Sequence, residues 1–296
     1  MTSHLEEQYQ TSWQERQTFA ENMQPITGQL FRNKGIEISI YGRPLVNASA
    51  IDIIKAHRSV ALHEENKLRL RESFPFLQAL AKMELAPARI DVGKLAYRYL
   101  FKGEANGLSI EQFLEKELAT IVAKGNDVQE TKDVVLYGFG RIGRLLARLL
   151  IERAGPNAKL NLRAIVIRPG KEDDLEKRAS LLRRDSVHGA FNGSITIDKE
   201  NNVIKANGAF IKIIYAKSPS EIDYTAYGIN DALVVDNTGI WSDEEGLGQH
   251  LQSKGVAKVL LTAPAKGDIK NIVFGVNDDM ILADDKIISA ASCTTN

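Results

Sequence analysis

The sequence contains one cysteine, Cys293, and five histidines among its 296 residues. A single cysteine excludes an intramolecular disulfide framework, which fits a reducing, cytoplasmic setting. The histidines are scattered and show no metal-ligand spacing. His63, for example, precedes two glutamates but lacks the second histidine of a zinc-protease signature. We therefore expect no metal site, and the thiol of Cys293 has to be explained by itself.

Excess charge and long apolar runs are also absent. Lys and Arg number 38, as do Asp and Glu, so no basic excess favours nucleic acid or an anionic membrane as a partner. No apolar run approaches the roughly 18 residues of a membrane-spanning helix, and the polar, acidic N-terminus differs from a signal peptide. The length predicts two domains.

Residues 1–130 have the pattern of a mostly helical domain, an N-terminal extension without a recognisable role. Isoleucines alternate with polar residues over 36–40, which predicts a short strand. An apolar stripe runs from Ile110 to Val122 and ends before Gly125, as in an amphipathic helix. The predicted helix starts are Ser12 (with Glu15), Ser49, Asp91 and Ser109 (with Gln112), where cap or capping-box residues stand.

Residues 131–296 show a different pattern, in which strands alternate with helices. Helical patterns lie at 145–151 and 243–253, and Asn207-Gly208 predicts a hairpin turn. The alternation predicts an α/β fold with a mainly parallel sheet, a Rossmann-type dinucleotide-binding domain. Short apolar runs typical of buried parallel strands stand at Val134–Leu136, Leu160–Ile167, Ala232–Val235, Val259–Leu261 and Lys286–Ile288.

A glycine-rich loop follows the first of these strands. The stretch from Tyr137 to Gly143 reads YGFGRIG and matches GxGxxG between a predicted strand and a predicted helix. The first glycine permits a tight turn, the second lets the backbone approach a pyrophosphate, and the third lets helix and strand pack closely. This context favours dinucleotide binding over a glycine turn without a ligand.

The second predicted strand ends at Arg168, where the fingerprint expects an acidic residue that binds the adenosine ribose. A cation there, with Lys171 nearby, suggests pairing with a 2′-phosphate. We therefore hypothesise that NADP is accepted at least as well as NAD. The alternative is a solvated surface arginine beside a cofactor that is NAD.

Small and hydroxylated residues surround Cys293 just after a strand-like run, in the segment ASCTTN. A lone cysteine is often an inert buried residue. In this setting, however, the N-terminus of a following helix would lower the pKa of the thiol and make it reactive.

These segments together resemble phosphorylating glyceraldehyde-3-phosphate dehydrogenase. The resemblance covers about residues 132–296, in the family's order, and leaves the first 130 residues unmatched. The matching segments are GFGRIGR at 138–144, DSVHG at 185–189, NTG at 237–239, TAP at 262–264, GVN at 275–277 and ASCTTN at 291–296.

The resemblance implies oxidation of glyceraldehyde 3-phosphate through a thioester on Cys293, which inorganic phosphate then cleaves to an acyl phosphate. It also implies NAD or NADP as cofactor and a homotetramer. By position, Ser292 and Thr294 would bind phosphate, and Asn277 would be a structural neighbour of the site. The implied cofactor contacts are Gly138, Gly140, Arg141, Ile142 and Gly143 in the loop, with Thr238 and Thr262 toward the nicotinamide.

The chain departs from the family at the adenosine end. Tyr137 replaces the usual asparagine, Arg168 the usual aspartate, and Lys217 aligns with an arginine near the adenine. The family's catalytic histidine would lie beyond Asn296, and none of the five histidines matches it. We therefore expect a partial chain that binds cofactor without turnover, so steady oxidation of the aldehyde would contradict this expectation.

Two other functions fit the same sequence. A dehydrogenase acting on erythrose 4-phosphate would share the glycine loop and the cysteine. A non-catalytic NAD(P)-binding regulatory or interaction protein would use the helical half as a docking module, although such a protein would have no need of the cysteine.

Overall fold

The computed structural model describes residues 2–122, 131–155, 158–170 and 174–292. Cys293 and Thr294 lie outside the described residues, as does Lys171. The chain forms two compact units that divide near residue 130. The described residues up to 122 belong to the first unit, and those at 131–154 and from 158 onward belong to the second.

The first unit is mostly helical, with a small three-stranded sheet. The sheet has the order β2-β1-β3, in which β1 pairs antiparallel with β2 and parallel with β3. The elements are α1 (Thr2–Lys34), β1 (Glu37–Ile40), β2 (Arg43–Pro44), α2 (Ala50–Ser59), α3 (Leu70–Lys82), β3 (Arg89–Asp91), α4 (Val92–Phe101) and α5 (Ile110–Glu117).

Three of the four predicted helix starts in this unit are confirmed. Ser49 and Ser109 form capping boxes with Asp52 and Gln112, and the Asp91 carboxylate accepts the N–H of Lys94. The prediction at Ser12 is wrong, since Ser12 lies inside α1. The segment before it has good helix formers and neither proline nor glycine, so the helix simply starts earlier.

The helix predicted over 110–122 is shorter than its apolar stripe. It ends at Glu117, because Val122 leaves the helical path to form a β-bridge with Leu85. The three isoleucines at 36, 38 and 40 are buried, as their alternation predicts, and belong to one apolar core with the helices. No helix among the described residues is long and apolar enough to cross a membrane.

The second unit is built on an eight-stranded sheet in the order β13-β12-β11-β4-β5-β10-β9-β8. Six neighbouring strands, from β13 to β10, run parallel, while β9 and β8 are antiparallel. The elements are β4 (Lys132–Tyr137), α6 (Arg141–Glu152), β5 (Leu160–Ile167), α7 (Asp174–Arg183), β6 (Arg184–Asp185), β7 (Gly189–Ala190), β8 (Ile195–Asp198), β9 (Val203–Ala206), β10 (Ala209–Tyr215), β11 (Ala232–Asp236), α8 (Glu244–Gly248), β12 (Val256–Leu261) and β13 (Ile287–Ser289).

This sheet confirms the predicted Rossmann-type α/β fold after a mostly helical region. The hairpin turn is also confirmed, because Asn207 and Gly208 join β9 to β10 with positive φ of 47° and 86°. The helix predicted over 243–253 is shorter in the structure. α8 has five residues and continues as a 3₁₀ turn over 249–252.

One buried histidine makes the stability of the first unit depend on pH. The ring nitrogens of His57 lie 2.8 Å from the carbonyl oxygen of Ile53 and 2.7 Å from the hydroxyl of Ser73. Burial lowers the pKa of His57 from 6.5 to about 4. The unfolded chain therefore takes up a proton more readily, and stability is lost as the pH falls from 6.5 toward 4.

We predict that the free energy of unfolding of the first unit drops by about 2 to 3 kcal/mol between pH 7 and pH 4.5, and that His57→Gln removes most of this drop. The free energy of unfolding is measured by urea titration in a Trp241→Phe background, with the fluorescence of Trp13 as the signal. His63→Gln changes an exposed histidine of the same unit and serves as the control. Equal pH dependence in wild type and His57→Gln would contradict the prediction.

Candidate functional site

The glycine loop lies at the carboxyl end of β4, one of the two middle strands of the parallel part of the sheet. On one side of β4 lies β5, and on the other lies β11, so the strand order reverses at this point. Open α/β sheets bind ligands in the crevice outside such a switch point. The topology therefore marks the end of β4 as the candidate site.

The loop glycines fit the roles that the motif predicts. Gly138 has a φ of +95°, and a Cβ there would lie 2.9 Å from Cγ2 of Thr238. A Cβ on Gly143 would lie 2.3 Å from the carbonyl oxygen of Gly138, so the helix can approach the strand only without a side chain. A Cβ on Gly140, at the N-cap of α6, would meet nothing within 4 Å. The space beside Gly140 and the free N–H groups at the start of α6 suit a pyrophosphate.

A cavity of about 240 Å³ opens beside this loop, among residues of the second unit. It brings together four residues that the sequence predicts for the cofactor site, namely Gly138, Gly140, Arg168 and Thr238. Arg178 also lines the cavity, and its Nε lies 3.2 Å from the carboxylate of Asp174.

Other predicted residues lie outside the lining of this cavity. Arg141 and Ile142 are exposed in the first turn of α6. The backbone N–H of Lys217, after β10, donates to Glu221. Thr262 follows β12, and its hydroxyl donates to the carbonyl oxygen of Asp236 at 3.0 Å.

A buried pair, Asp236 and His250, fixes Thr238, the residue that the sequence predicts along the path to the nicotinamide. The fully buried carboxylate of Asp236, at the end of β11, accepts the N–H and the hydroxyl of Thr238 at 2.8 and 2.7 Å. Its other oxygen lies 2.9 Å from Nε2 of His250, which is also fully buried. These bonds fix the orientation of Thr238 against the loop.

The sequence analysis gives Asp236 and His250 no role. They are fourteen positions apart and belong to no motif. The available signal was Asp236 itself, because a carboxylate that ends an apolar strand of a parallel sheet needs a partner when it is buried.

Tyr137 stands where the resemblance predicts asparagine, and its hydroxyl stays uncharged in this setting. Its ring packs edge-on against His250, with the ring centres 4.7 Å apart. Burial, together with the nearby carboxylate of Asp236, raises the pKa of Tyr137 to about 12. It therefore presents an uncharged hydroxyl-bearing ring beside the cavity.

The chain leaves β13 at the same edge of the sheet, in the segment that precedes Cys293 in the sequence. The hydroxyl of Ser289 donates to the carbonyl oxygen of Ala263 and accepts the N–H of Ala291, which has a φ of +56°. Ser292 is the last described residue. β13 lies three strands from β4, about 14 Å across the sheet.

Two further family segments form local turns. The Asp185 carboxylate accepts the N–H groups of Val187 and His188 at 3.0 and 2.9 Å. The side chain of Asn277 accepts the N–H of Val273 and donates to the carbonyl of Asn271. Both side chains therefore bond to backbone close by in the chain.

Comparison with known proteins agrees with this geometry. Residues 132–244 match the family model described as glyceraldehyde 3-phosphate dehydrogenase, NAD binding domain. Over 277 residues, 93% of this chain and 60% of the relative, the chain is 57% identical to a glyceraldehyde-3-phosphate dehydrogenase-like protein of Pseudomonas aeruginosa. That match includes most of the first 130 residues.

Glyceraldehyde-3-phosphate dehydrogenases match a smaller part of the chain. Identity is 40% over 164 residues with the Zymomonas mobilis enzyme and 38% over 163 residues with that of Thermotoga maritima. These matches cover 55% of this chain and 45% and 46% of those proteins. The chain thus spans 60% or less of the length of these relatives. Residues 132–244 of the second unit therefore belong to the NAD-binding domain family of glyceraldehyde-3-phosphate dehydrogenase.

Proposed function

We propose that the second unit binds NAD or NADP at the glycine loop and takes part in the phosphorylating oxidation of glyceraldehyde 3-phosphate, with Cys293 as the nucleophile. The observation that carries the proposal is the cavity beside Gly140, where a backbone cradle, the cation Arg168 and the held hydroxyl of Thr238 converge. The names of the relatives favour this aldehyde over erythrose 4-phosphate.

In this proposal the thiolate of Cys293 adds to the aldehyde carbon and forms a hemithioacetal. NAD(P), when bound, supplies the hydride acceptor that allows the adduct to become a thioester. Inorganic phosphate, held by Ser292 and Thr294, attacks the acyl carbon, so the carbon–sulfur bond breaks, the acyl phosphate leaves and the thiolate returns. A homotetramer and a cytoplasmic location belong to the same proposal, by resemblance to the family.

The chain's own residues prepare the cofactor end of this site. The Gly138–Gly143 contact places the start of α6 at the crevice, where its N–H groups can bind phosphate oxygens. The Asp236 carboxylate holds Thr238 toward the cavity, and Arg168 lines the same cavity after β5. The guanidinium of Arg168 is the group that would pair with a 2′-phosphate in this proposal.

We predict that Gly140→Ala weakens NAD binding by about tenfold or more, roughly 1.4 kcal/mol, without lowering the melting temperature, because the new methyl occupies the space of the pyrophosphate. Gly143→Ala should instead destabilise the unit by about 1 to 3 kcal/mol, because its methyl clashes with backbone.

Calorimetric titration with NAD and thermal unfolding separate the two effects. Gly248→Ala, a glycine of α8 with equally open surroundings, is the control for Gly140→Ala. Wild-type NAD affinity in Gly140→Ala would mean that the pyrophosphate binds elsewhere.

We predict that Arg168→Asp shifts the ratio of NADP to NAD affinity toward NAD by about tenfold or more, because an anion replaces the partner of the 2′-phosphate. Both cofactors are titrated against wild type and variant. Lys159→Asp makes the same charge change before β5, about 30 Å away along the strand, and should leave the ratio unchanged. An unchanged ratio in Arg168→Asp rejects the role of Arg168 in NADP binding.

The reactivity of the Cys293 thiol distinguishes an enzyme from a non-catalytic NAD(P)-binding protein. We predict that, at pH 7, iodoacetate alkylates the thiol of Cys293 about tenfold or more faster than it alkylates the thiol of glutathione. The reason is that a lowered pKa raises the thiolate fraction. Mass spectrometry measures the rate, and Cys293→Ser must abolish labelling, since the sequence has one cysteine. Labelling at the glutathione rate, in protein that binds NAD, supports the non-catalytic alternative.

A further inference from the structure

A second cavity, of about 590 Å³, lies in the first unit where α1, α2 and the N-terminal end of α3 meet. Its volume is within the range of small-molecule sites, which is about 300 to 1,000 Å³. All of its lining residues belong to the first unit, so it shares none with the dinucleotide site.

The charges around this cavity are strongly unbalanced. Among the described residues that line it, Glu15 is the one carboxylate, and it is 3.3 Å from a guanidinium nitrogen of Arg71, which neutralises it. Arg58, Lys67 and Arg69 line the same cavity and are exposed, and their charged side-chain groups form no ion pair in the part of the chain that the structure describes. Like charges gathered around one concave space repel each other, and an anion between them would relieve that repulsion.

The helix that begins at the cavity adds backbone donors, although the carboxylate of Glu72 also lies in its first turn. α3 has 13 residues and starts at Leu70, and both Leu70 and Arg71 line the cavity. The first N–H groups of a helix have no intrahelical acceptor and carry the positive end of the helix dipole. Glu72 accepts the N–H of Arg69 at 2.7 Å, which leaves the N–H groups of Leu70 and Arg71 for a ligand.

Part of the lining of the cavity is apolar. Phe19, Ile54 and Leu68 belong to it, and Phe19 is held edge-on against Phe74 with the ring centres 5.4 Å apart. His57 also lines the cavity, but both ring nitrogens are already bonded to Ile53 and Ser73. The lining thus combines cationic with apolar side chains, and His57 offers no free acceptor.

We propose that this cavity binds a small phosphorylated molecule with an aromatic or apolar portion, of the class of a nucleoside diphosphate. Its phosphoryl oxygens would bind Arg58, Lys67, Arg69 and the first N–H groups of α3. Its apolar portion would lie against Phe19. A concave space of about 590 Å³ suits a small ligand rather than a nucleic-acid strand, which needs an extended basic surface.

The test is calorimetric titration of the whole chain with ADP and with inorganic pyrophosphate, in saturating NAD so that the dinucleotide site is filled. The cavity variant is Arg58→Gln/Lys67→Gln/Arg69→Gln. The control variant, Arg43→Gln/Lys94→Gln/Lys116→Gln, removes three exposed cations of the same unit from outside the cavity.

We expect ADP to bind the wild type and the control variant with equal affinity, and the cavity variant about tenfold or more weakly. Pyrophosphate should bind more weakly than ADP, because it has no apolar portion to contact Phe19. In the wild type, ADP should slow hydrogen exchange in the first turn of α3, a readout that does not depend on the variants folding.

Several outcomes overturn the proposal. These are no ADP binding at millimolar concentration, equal weakening in the cavity and control variants, or exchange protection confined to the second unit. Binding of oligonucleotides in preference to ADP would make the surface a nucleic-acid site instead. Equal affinities for ADP and pyrophosphate would contradict the proposal that the ligand has an aromatic or apolar portion.

Discussion

The candidate dinucleotide site depends on one constraint, which is that parallel strands bring their carboxyl ends to a single edge of the sheet. Gly138 follows β4, Arg168 follows β5 and Thr238 follows β11, so three segments distant in sequence meet beside one cavity. The reversal of strand order at β4 opens the crevice there. No single segment could form this cavity by itself, which makes the sheet part of the site.

Local signals in the sequence predict the structure well where the deciding interaction is local. The capping boxes at Ser49 and Ser109 and the turn at Asn207-Gly208 each need only a few neighbouring residues. Ser12 has the same capping pattern, but the helix already runs before it. A buried Asp236 signals that a partner is needed, but His250 could not be predicted as that partner, because the fold creates the contact and no periodicity records it.

The overall charge of zero conceals an uneven distribution. Whole-chain counts of 38 basic and 38 acidic residues suggest no anionic partner. Around the cavity of the first unit, however, five cationic side chains face one carboxylate. Composition averages over surfaces that point in different directions, so it limits what the whole chain attracts and says little about one concave region.

β13 is an outer strand of its sheet, and the segment that leads to the thiol leaves from its end. On its free side, the described residues offer only a bridge between Asn271 and Ser289. Outer strands fray more easily than central ones. Loosening of β13 would therefore release the hydroxyl of Ser289 from Ala263 and Ala291, and the exit of the chain from that margin of the sheet would lose its fixed direction.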